Sequence, residues 1–449
     1  MELSPEQVLA LQKYQAGANL FLTGPGGSGK TELIRRMVKL AHEGGKKIQV
    51  CALTGCAAVL LACKAKTVHS FAGIGLANGS VEEVVRKVVS NKYKLKNWVG
   101  IDILIIDEVS MMSSKIFEIL DFIARKSRKK MDIPFGGIQV VFSGDFYQLP
   151  PVGSNDPGEE DSCAFCFESP NWRKTFDVTI CLKTIFRQSD PVYTKILNQV
   201  RIGKLYKSSL DTLEKQVNKE FPLNFKPTIL LPRRKDAETI NTKEINALGG
   251  ETKIYKIAKI KDMPASSKAP LPASSKASGE KMITEEQYEN EYNYLVNNII
   301  ADKEIVLKVG AQVMCIANVD MESDEQVVNG SQGIVVGFVG ELPLVQFNNG
   351  TKRTVGYHIW VSETLPNFGI KQIPLIYAWA ITIHKAQGVS LDMAQIDAGS
   401  NIFECGQTYV ALSRVKSLEG LFLTALNPQK IKVNKKVQEF YVSLALEEK

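Results

Sequence analysis

The chain has no long hydrophobic run. Its most apolar stretch, Cys51 to Cys63, covers 13 residues, whereas a bilayer span needs about 20, so no membrane helix is expected. Cysteine is sparse and unframed, with 8 in 449 residues. That excludes a disulfide scaffold and fits a reducing compartment. Cys163 and Cys166 form a CxxC, but no second Cys or His pair follows at zinc spacing, so the pair reads as chance. Strong charge of either sign is also missing. A net charge of +7 is compatible with a polyanionic partner without requiring one. The opening residues, MELSPEQ, are acidic and polar, and no signal peptide is expected. The expectation is an intracellular protein, with nucleus, mitochondrion, bacterial cytoplasm or viral replication site left open.

What is present is an ordinary globular composition, 44% apolar and 23% charged, over a length too great for one core. Short apolar strands alternate with helical patterns from the start. NLFLT (19–23) is followed by a Gly-rich loop and by ELIRRMVKLAHEGG, whose Leu33, Ile34, Met37, Val38 and Ala41 recur at helical spacing before Gly44-Gly45. Lys47–Leu53, Asp102–Ile106 and Ile138–Phe142 read as further strands. Asp102–Ile106 has almost no alternation, as expected of a parallel strand covered on both faces. A doubly wound α/β domain up to about residue 180 is the expectation. Residues 185–245 read as helix-rich, with a strand at Thr228–Leu231. PASSKA occurs at 264–269 and again at 272–277, a low-complexity segment expected to be a disordered insertion. Residues 305–361 read as short strands punctuated by Gly and Asn, fitting a small antiparallel barrel. From Ile373 the pattern returns to α/β, with PLIYAWAITI as one buried strand.

Two motifs carry chemistry. Gly24, Pro25, Gly26, Gly27, Ser28, Gly29, Lys30 and Thr31 fill the phosphate-loop pattern between a strand and a helix. Backbone N–H groups there wrap phosphates, and the helix N-terminus adds positive potential. Lys30 would reach the β and γ phosphates, and Thr31 would hold Mg2+. Asp107 ends the strand ILII, where its carboxylate would join the magnesium shell, and Glu108 is placed to polarise an attacking water. That pair points to hydrolysis, and no Asn-Lys-x-Asp for guanine occurs. A third stretch, GDFYQLPPV (144–152), sets Gln148 just past a buried strand and before two prolines. Gln148 is either a turn ornament or a γ-phosphate sensor at the sheet's carboxyl edge.

These motifs, with LSPEQ (3–7), LTGCAA and KTVHSFAGIGL (53–58, 66–76), IIDEVSMM (105–112), the block 117–139 ending in PFGGIQ, FRQ (186–188), LKVGAQVM (307–314), VNGSQGIVVGF (328–338), AWAITIHKAQGVSLD (378–392) and GQTYVALSRVKSLEGL (406–421), resemble the PIF-type group of superfamily-one DNA helicases, kin of the RecD-like motors. The resemblance runs nearly end to end. It implies an α/β fold of two RecA-like P-loop motor lobes with a small β-barrel module inserted in the second. The lobes would be residues 1–180, with a wedge insertion near 72–97, and residues 181–250 with 365–449; residues 251–364 would be the inserted region. It implies an adenine-reading Gln7, arginine fingers at Arg187 and Arg414, and Gln387 in the ATP-binding set. It implies single-strand contacts from Thr67, His69, Ser70, Phe71, His384 and Lys385, and a wedge near Ala72–Ala77 with Ile74 and Leu76. ATP and Mg2+ are the implied cofactors. Single-stranded DNA and forked or tailed duplex are the implied partners, with 5′-to-3′ travel and a monomer when free. Two rivals remain: a translocase that strips proteins from single strands, and a P-loop ATPase switch indifferent to DNA. The basic run Arg125, Lys126, Arg128, Lys129 and Lys130 reads equally as a solvated or a phosphate-binding face. The chain departs from the group in starting almost at the leading motif and in a longer, repetitive insertion near 255–300.

Overall fold

The computed structural model describes every residue except 1–2, 62, 64, 76, 154–162, 222–225, 262–283, 318, 320–326, 363–364, 366 and 448–449. Leu76 and both PASSKA repeats therefore lie outside the described residues. The chain divides into two compact units, residues 1–232 with 386–449, and residues 233–385. Among the described residues no helix is long and apolar enough to cross a membrane.

The first unit opens on six strands: β1 (Leu20–Thr23), β2 (Ile48–Ala52), β3 (Lys66–Thr67), β4 (Ile103–Asp107), β5 (Gln139–Ser143) and β6 (Val178–Cys181). They form one sheet in the order β3-β2-β4-β5-β1-β6, with every pairing parallel. β1 and β4 are buried along their whole length, because helices cover both faces of the sheet. Leu33, Ile34 and Met37 of the Lys30–Glu43 helix fill one core. Phe117, Leu120, Ile123 and Ala124 of the Ser114–Arg128 helix fill the other. β5 pairs with β4 on one side and with β1 on the other. The loop after β5 therefore leaves the sheet between the loops that follow β1 and β4.

Two of the five basic residues in the 125–130 run are structural. Arg125 pairs at 2.8 Å with the fully buried Asp121. Arg128 donates to Gly136 O at 3.0 Å and Ile101 O at 2.8 Å. Asp121 also accepts from Phe135 N at 2.7 Å, which ties the PFGG turn to the helix.

After the helices Pro191–Arg201 and Lys207–Glu214 comes β7 (Thr228–Leu231). The second unit then carries β8 (Thr252–Lys256), β9 (Ala258–Lys261), β10 (Glu304–Lys308), β11 (Gln312–Cys315), β12 (Gln332–Val339), β13 (Leu342–Phe347), β14 (Lys352–Thr354), β15 (His358–Val361), β16 (Phe368–Gln372), β17 (Leu375–Tyr377) and β18 (Ala380–Thr382). Its antiparallel pairings are β14-β13-β12-β11-β17, β15-β16-β9 and β10-β8. The β-rich stretch expected at 305–361 is thus shared among three sheets. PLIYAWAITI is two strands rather than one. β17 pairs with β11, whereas at Ala380, the first residue of β18, the Asn241 side chain accepts from the backbone N at 2.9 Å and donates to the backbone O at 2.8 Å.

The chain returns to the first unit with β19 (Ala394–Ala398) and β20 (Leu421–Leu426), parallel neighbours in the order β7-β19-β20. The last helix, Lys435–Glu447, folds back on the six-stranded half. There Phe440 stacks on Phe167 at 4.3 Å and meets Trp172 and Phe21.

Candidate active site

The site is built around the loop 24–31, which leaves β1 and opens the Lys30–Glu43 helix. Gly27 has φ +85°, and a side chain there would start 2.5 Å from Arg187 Cβ. At Gly26 the same construction lies 3.4 Å from Arg414 Nη2. Glycine at these two positions lets both arginines reach the loop backbone. Lys30 Nζ donates to Gly24 O at 2.7 Å and Pro25 O at 3.0 Å, and burial lowers its pKa against the pull of nearby carboxylates.

Gln7 lies in a capping box. Its Oε1 accepts from Ser4 N at 3.1 Å, and its Nε2 donates to Ser28 O at 3.3 Å. The Gln7 amide and the Phe186 ring meet over Gly29, 2.7 and 3.4 Å from where a Cβ would stand. Phe186 N also donates to Gly27 O at 2.8 Å.

Asp107 and Glu108 stand at the carboxyl end of β4. Burial pushes the Asp107 carboxyl up, opposed by the neighbouring Ser143 hydroxyl and the Lys30 charge. Burial and then Asp107 push Glu108 up, opposed by Lys30 and Arg414. Glu108 has φ +57°, a left-handed backbone that is uncommon and costly for a non-glycine residue. Its Oε2 accepts from Gln387 Nε2 at 2.9 Å. No cluster of three or more His, Cys, Asp or Glu that could hold a metal occurs among the described residues. A magnesium ion that shares a nucleotide's phosphates needs only one or two protein oxygens. The Thr31 hydroxyl and the Asp107 carboxylate are hard oxygen donors at this sheet edge, and they fit that requirement.

Both arginines are held by the 406–415 segment. Arg187 donates to Ser413 O at 3.2 Å and Gly388 O at 3.4 Å. Burial and the Arg414 charge pull its pKa down to about 9. Gln188 secures the same segment through Ser413 O and Val415 O, at 3.2 and 3.1 Å. Arg414 is 2% exposed and is bonded to Val410 O and Ser413 Oγ. Gln148 is 5% exposed, so it is no surface ornament. Its backbone lies directly beneath Gly406, and its Oε1 is buried with no hydrogen-bond partner among the described residues.

Sequence reasoning missed a buried hub beside this cleft. Asp145, fully buried, takes a bidentate ion pair from Arg201 at 2.9 and 2.8 Å. Two tyrosines join it: Tyr409 OH at 3.3 Å and Tyr441 OH at 3.4 Å. Gly26 N donates to Tyr409 OH at 2.8 Å. A lone Asp just past a buried strand in GDFYQ was the one local signal. The partners lie 56 to 296 residues away in the chain.

The proposed DNA contacts fare differently. Thr67 is buried and caps the Val68–Ala72 helix, accepting from Ser70 N at 3.3 Å. Phe71 is 3% exposed and packs on the fully buried Trp98 at 4.9 Å, so its ring offers no stacking face. That expectation is corrected: the ring belongs to the hydrophobic core. Ile74, expected at the wedge, is also buried. His69 and Ser70 are half-buried, and burial holds His69 below the usual imidazole range. In the second unit His384 is exposed. Lys385 lines a cavity of about 230 Å3 with Arg234, Asn241, Asp302 and Thr382.

A phosphate loop, an acidic pair at a neighbouring strand end, and two arginines held by a second parallel sheet define a P-loop motor of two RecA-like lobes. A family model described as PIF1-like helicase matches residues 3–209, and one described as DNA helicase Pif1, 2B domain, matches residues 292–338. The crystal structure of Pif1 helicase from Candida albicans is 34% identical, covers 99% of this chain and 100% of its own, and has a TM-score of 0.73. The chain belongs to the PIF1-like helicase family. Bacteroides sp. Pif1 in complex with ADP-AlF4 is 27% identical with a TM-score of 0.78, covering 100% of this chain and 98% of that one. The ATP-dependent DNA helicase PIF1 of Emericella nidulans is 34% identical over 96% of this chain, which spans 61% of that relative's length.

Proposed function

We propose that the chain is an ATP-dependent DNA helicase that travels 5′-to-3′ on single-stranded DNA and unwinds duplex in replication, repair or recombination. The observation that carries this reading is the convergence of Lys30, Glu108, Gln387, Arg187 and Arg414 on one loop, with groups drawn from both parallel sheets. Loop N–H groups and Lys30 bind the phosphates of ATP. Thr31 and Asp107 would hold magnesium, which would supply charge neutralisation at the phosphates. Glu108, oriented by Gln387, accepts a proton from the attacking water. Arg187 and Arg414 stabilise charge that spreads over the transferring phosphoryl, an effect worth about a thousandfold or more in rate. Gln7 and the Phe186 ring face the base, and Gln148 senses the γ-phosphate.

Ser70, His69, His384 and Lys385 are the contacts to single-stranded DNA, with Thr67 shaping the turn that presents Ser70. The lobes are residues 1–180 and 181–250 with 365–449, and residues 251–364 form the inserted region with its small barrel. Forked or tailed duplex is the substrate, and the free protein is a monomer. The direction of travel rests on family membership.

The test is ATP hydrolysis with and without oligo-dT. Strong stimulation is expected, and a rate indifferent to DNA would leave only an ATPase switch. A second reading, a translocase that strips bound proteins and unwinds poorly, gains support from the burial of Ile74, which removes one expected wedge residue. Strand separation on a 5′-tailed duplex distinguishes the two.

A further inference from the structure

Two tyrosines grip the start of the phosphate loop at two points and finish on one carboxylate. Tyr441 OH shares a hydrogen bond of 2.5 Å with the Thr23 hydroxyl, at the last residue before the loop, and accepts from Phe146 N at 3.2 Å. Tyr409 OH accepts from Gly26 N at 2.8 Å, inside the loop. Both reach Asp145, which the Arg201 guanidinium fixes in place. Tyr409 is 3% exposed and belongs to the Gln407–Leu412 helix, which runs directly into Ser413 and Arg414.

A backbone N–H is a single donor. Gly26 N–H therefore cannot be given fully to Tyr409 and to a phosphate oxygen at once. Gly26 also faces Arg414, on the side of the loop where the arginines reach in. We propose that Tyr409 is a positioning residue that reports occupancy of the loop: phosphate entering beside Gly26 takes the N–H, frees Tyr409 from the loop, and lets the helix that carries Arg414 shift while Asp145 still holds the hydroxyl. The inference rests on reading residues 24–31 as the nucleotide site.

Competition for one donor has a distinctive signature. In the nucleotide-free protein the Tyr409 hydroxyl satisfies Gly26 N–H, so its removal leaves a buried donor that only the phosphate can satisfy. Tyr409→Phe in the full chain is expected to bind a fluorescent non-hydrolysable ATP analogue about fivefold more tightly, the scale of one net hydrogen bond, while kcat in saturating oligo-dT falls. Loss of packing alone would weaken binding rather than tighten it. Tyr441→Phe, which touches the hub but not Gly26, is expected to leave the analogue Kd within about twofold, since it removes no competitor for that donor. Equal or weaker analogue binding by Tyr409→Phe overturns the proposal. So does equal tightening by Tyr441→Phe, which would place the effect at Asp145. Should Tyr409→Phe fail to fold, 3-fluorotyrosine placed at 409 keeps the hydroxyl. Its 19F resonance should move when the analogue is added, and a static resonance overturns the relay. If the wild-type chain does not bind the analogue at all, the nucleotide-site reading has failed instead.

Discussion

The nucleotide cleft and the turn at Lys66–Gly73 both follow strands at the carboxyl edge of the same sheet, yet they hold their side chains in opposite ways. In the cleft, polar groups are fixed by partners from far along the chain: Glu108 by Gln387, Arg187 by Ser413, Gly26 by Tyr409. In the turn they are fixed locally. Thr67 caps its own helix, Asn97 Nδ2 donates to Phe71 O at 3.1 Å, and Lys94 Nζ donates to Gly73 O at 2.6 Å. The cleft depends on long-range assembly and directs its groups at an incoming ligand. The turn spends most of its groups on its own shape. Substitutions in the cleft should therefore appear in chemistry, and those in the turn mostly in folding.

The largest effect tests the cleft. Lys30→Ala is expected to abolish ATP turnover in a steady-state phosphate-release assay, because the loop loses its one charged side chain. Arg414→Ala should lower kcat by about a thousandfold while leaving equilibrium binding of ATP largely intact. A comparable loss of binding would mean that Arg414 holds the fold and not the transition state. In the turn, Phe71→Ala should cost about 3–5 kcal/mol in chemical denaturation, whereas Ser70→Ala should leave stability within about 0.5 kcal/mol and weaken oligo-dT binding. A Phe71→Ala protein of wild-type stability that had lost DNA binding would break the comparison. The smallest effect is expected at Gln148→Ala. It should uncouple hydrolysis from unwinding, seen as more ATP consumed per base pair opened, with little change in ATP affinity.

The legibility of these regions follows the same division. The phosphate loop and the Asp107-Glu108 pair could be read because each is contiguous, and a strand or helix imposes its spacing. The alternation of strands and helices in the first lobe was readable for the same reason, since burial on both faces erases polar positions from β1 and β4. Phe71 misled because a ring beside His69 and Ser70 looks alike whether it faces a base or Trp98, and a single sequence does not show which side of a five-residue helix is covered. Asp145, Arg201, Tyr409 and Tyr441 were invisible as a group. Each is an ordinary residue in its own neighbourhood, and only the fold brings them to one carboxylate. The break in PLIYAWAITI is similar, since the partners of its two halves, β11 and Asn241, lie far upstream in the chain.

The Lys435–Glu447 helix has a consequence for how the chain is made. Val437 belongs to the same core as Phe21 and Phe142, and Phe440 packs on Phe146, Phe167 and Trp172. A ribosome delivers Phe21 roughly 400 residues ahead of Phe440. The aromatic bed of the first lobe is thus complete in sequence long before its cover exists. Until Phe440 emerges it is an uncovered sticky surface, of the kind that invites aggregation or a chaperone. The core that begins with β1 can close only after residues 437–440 have been made.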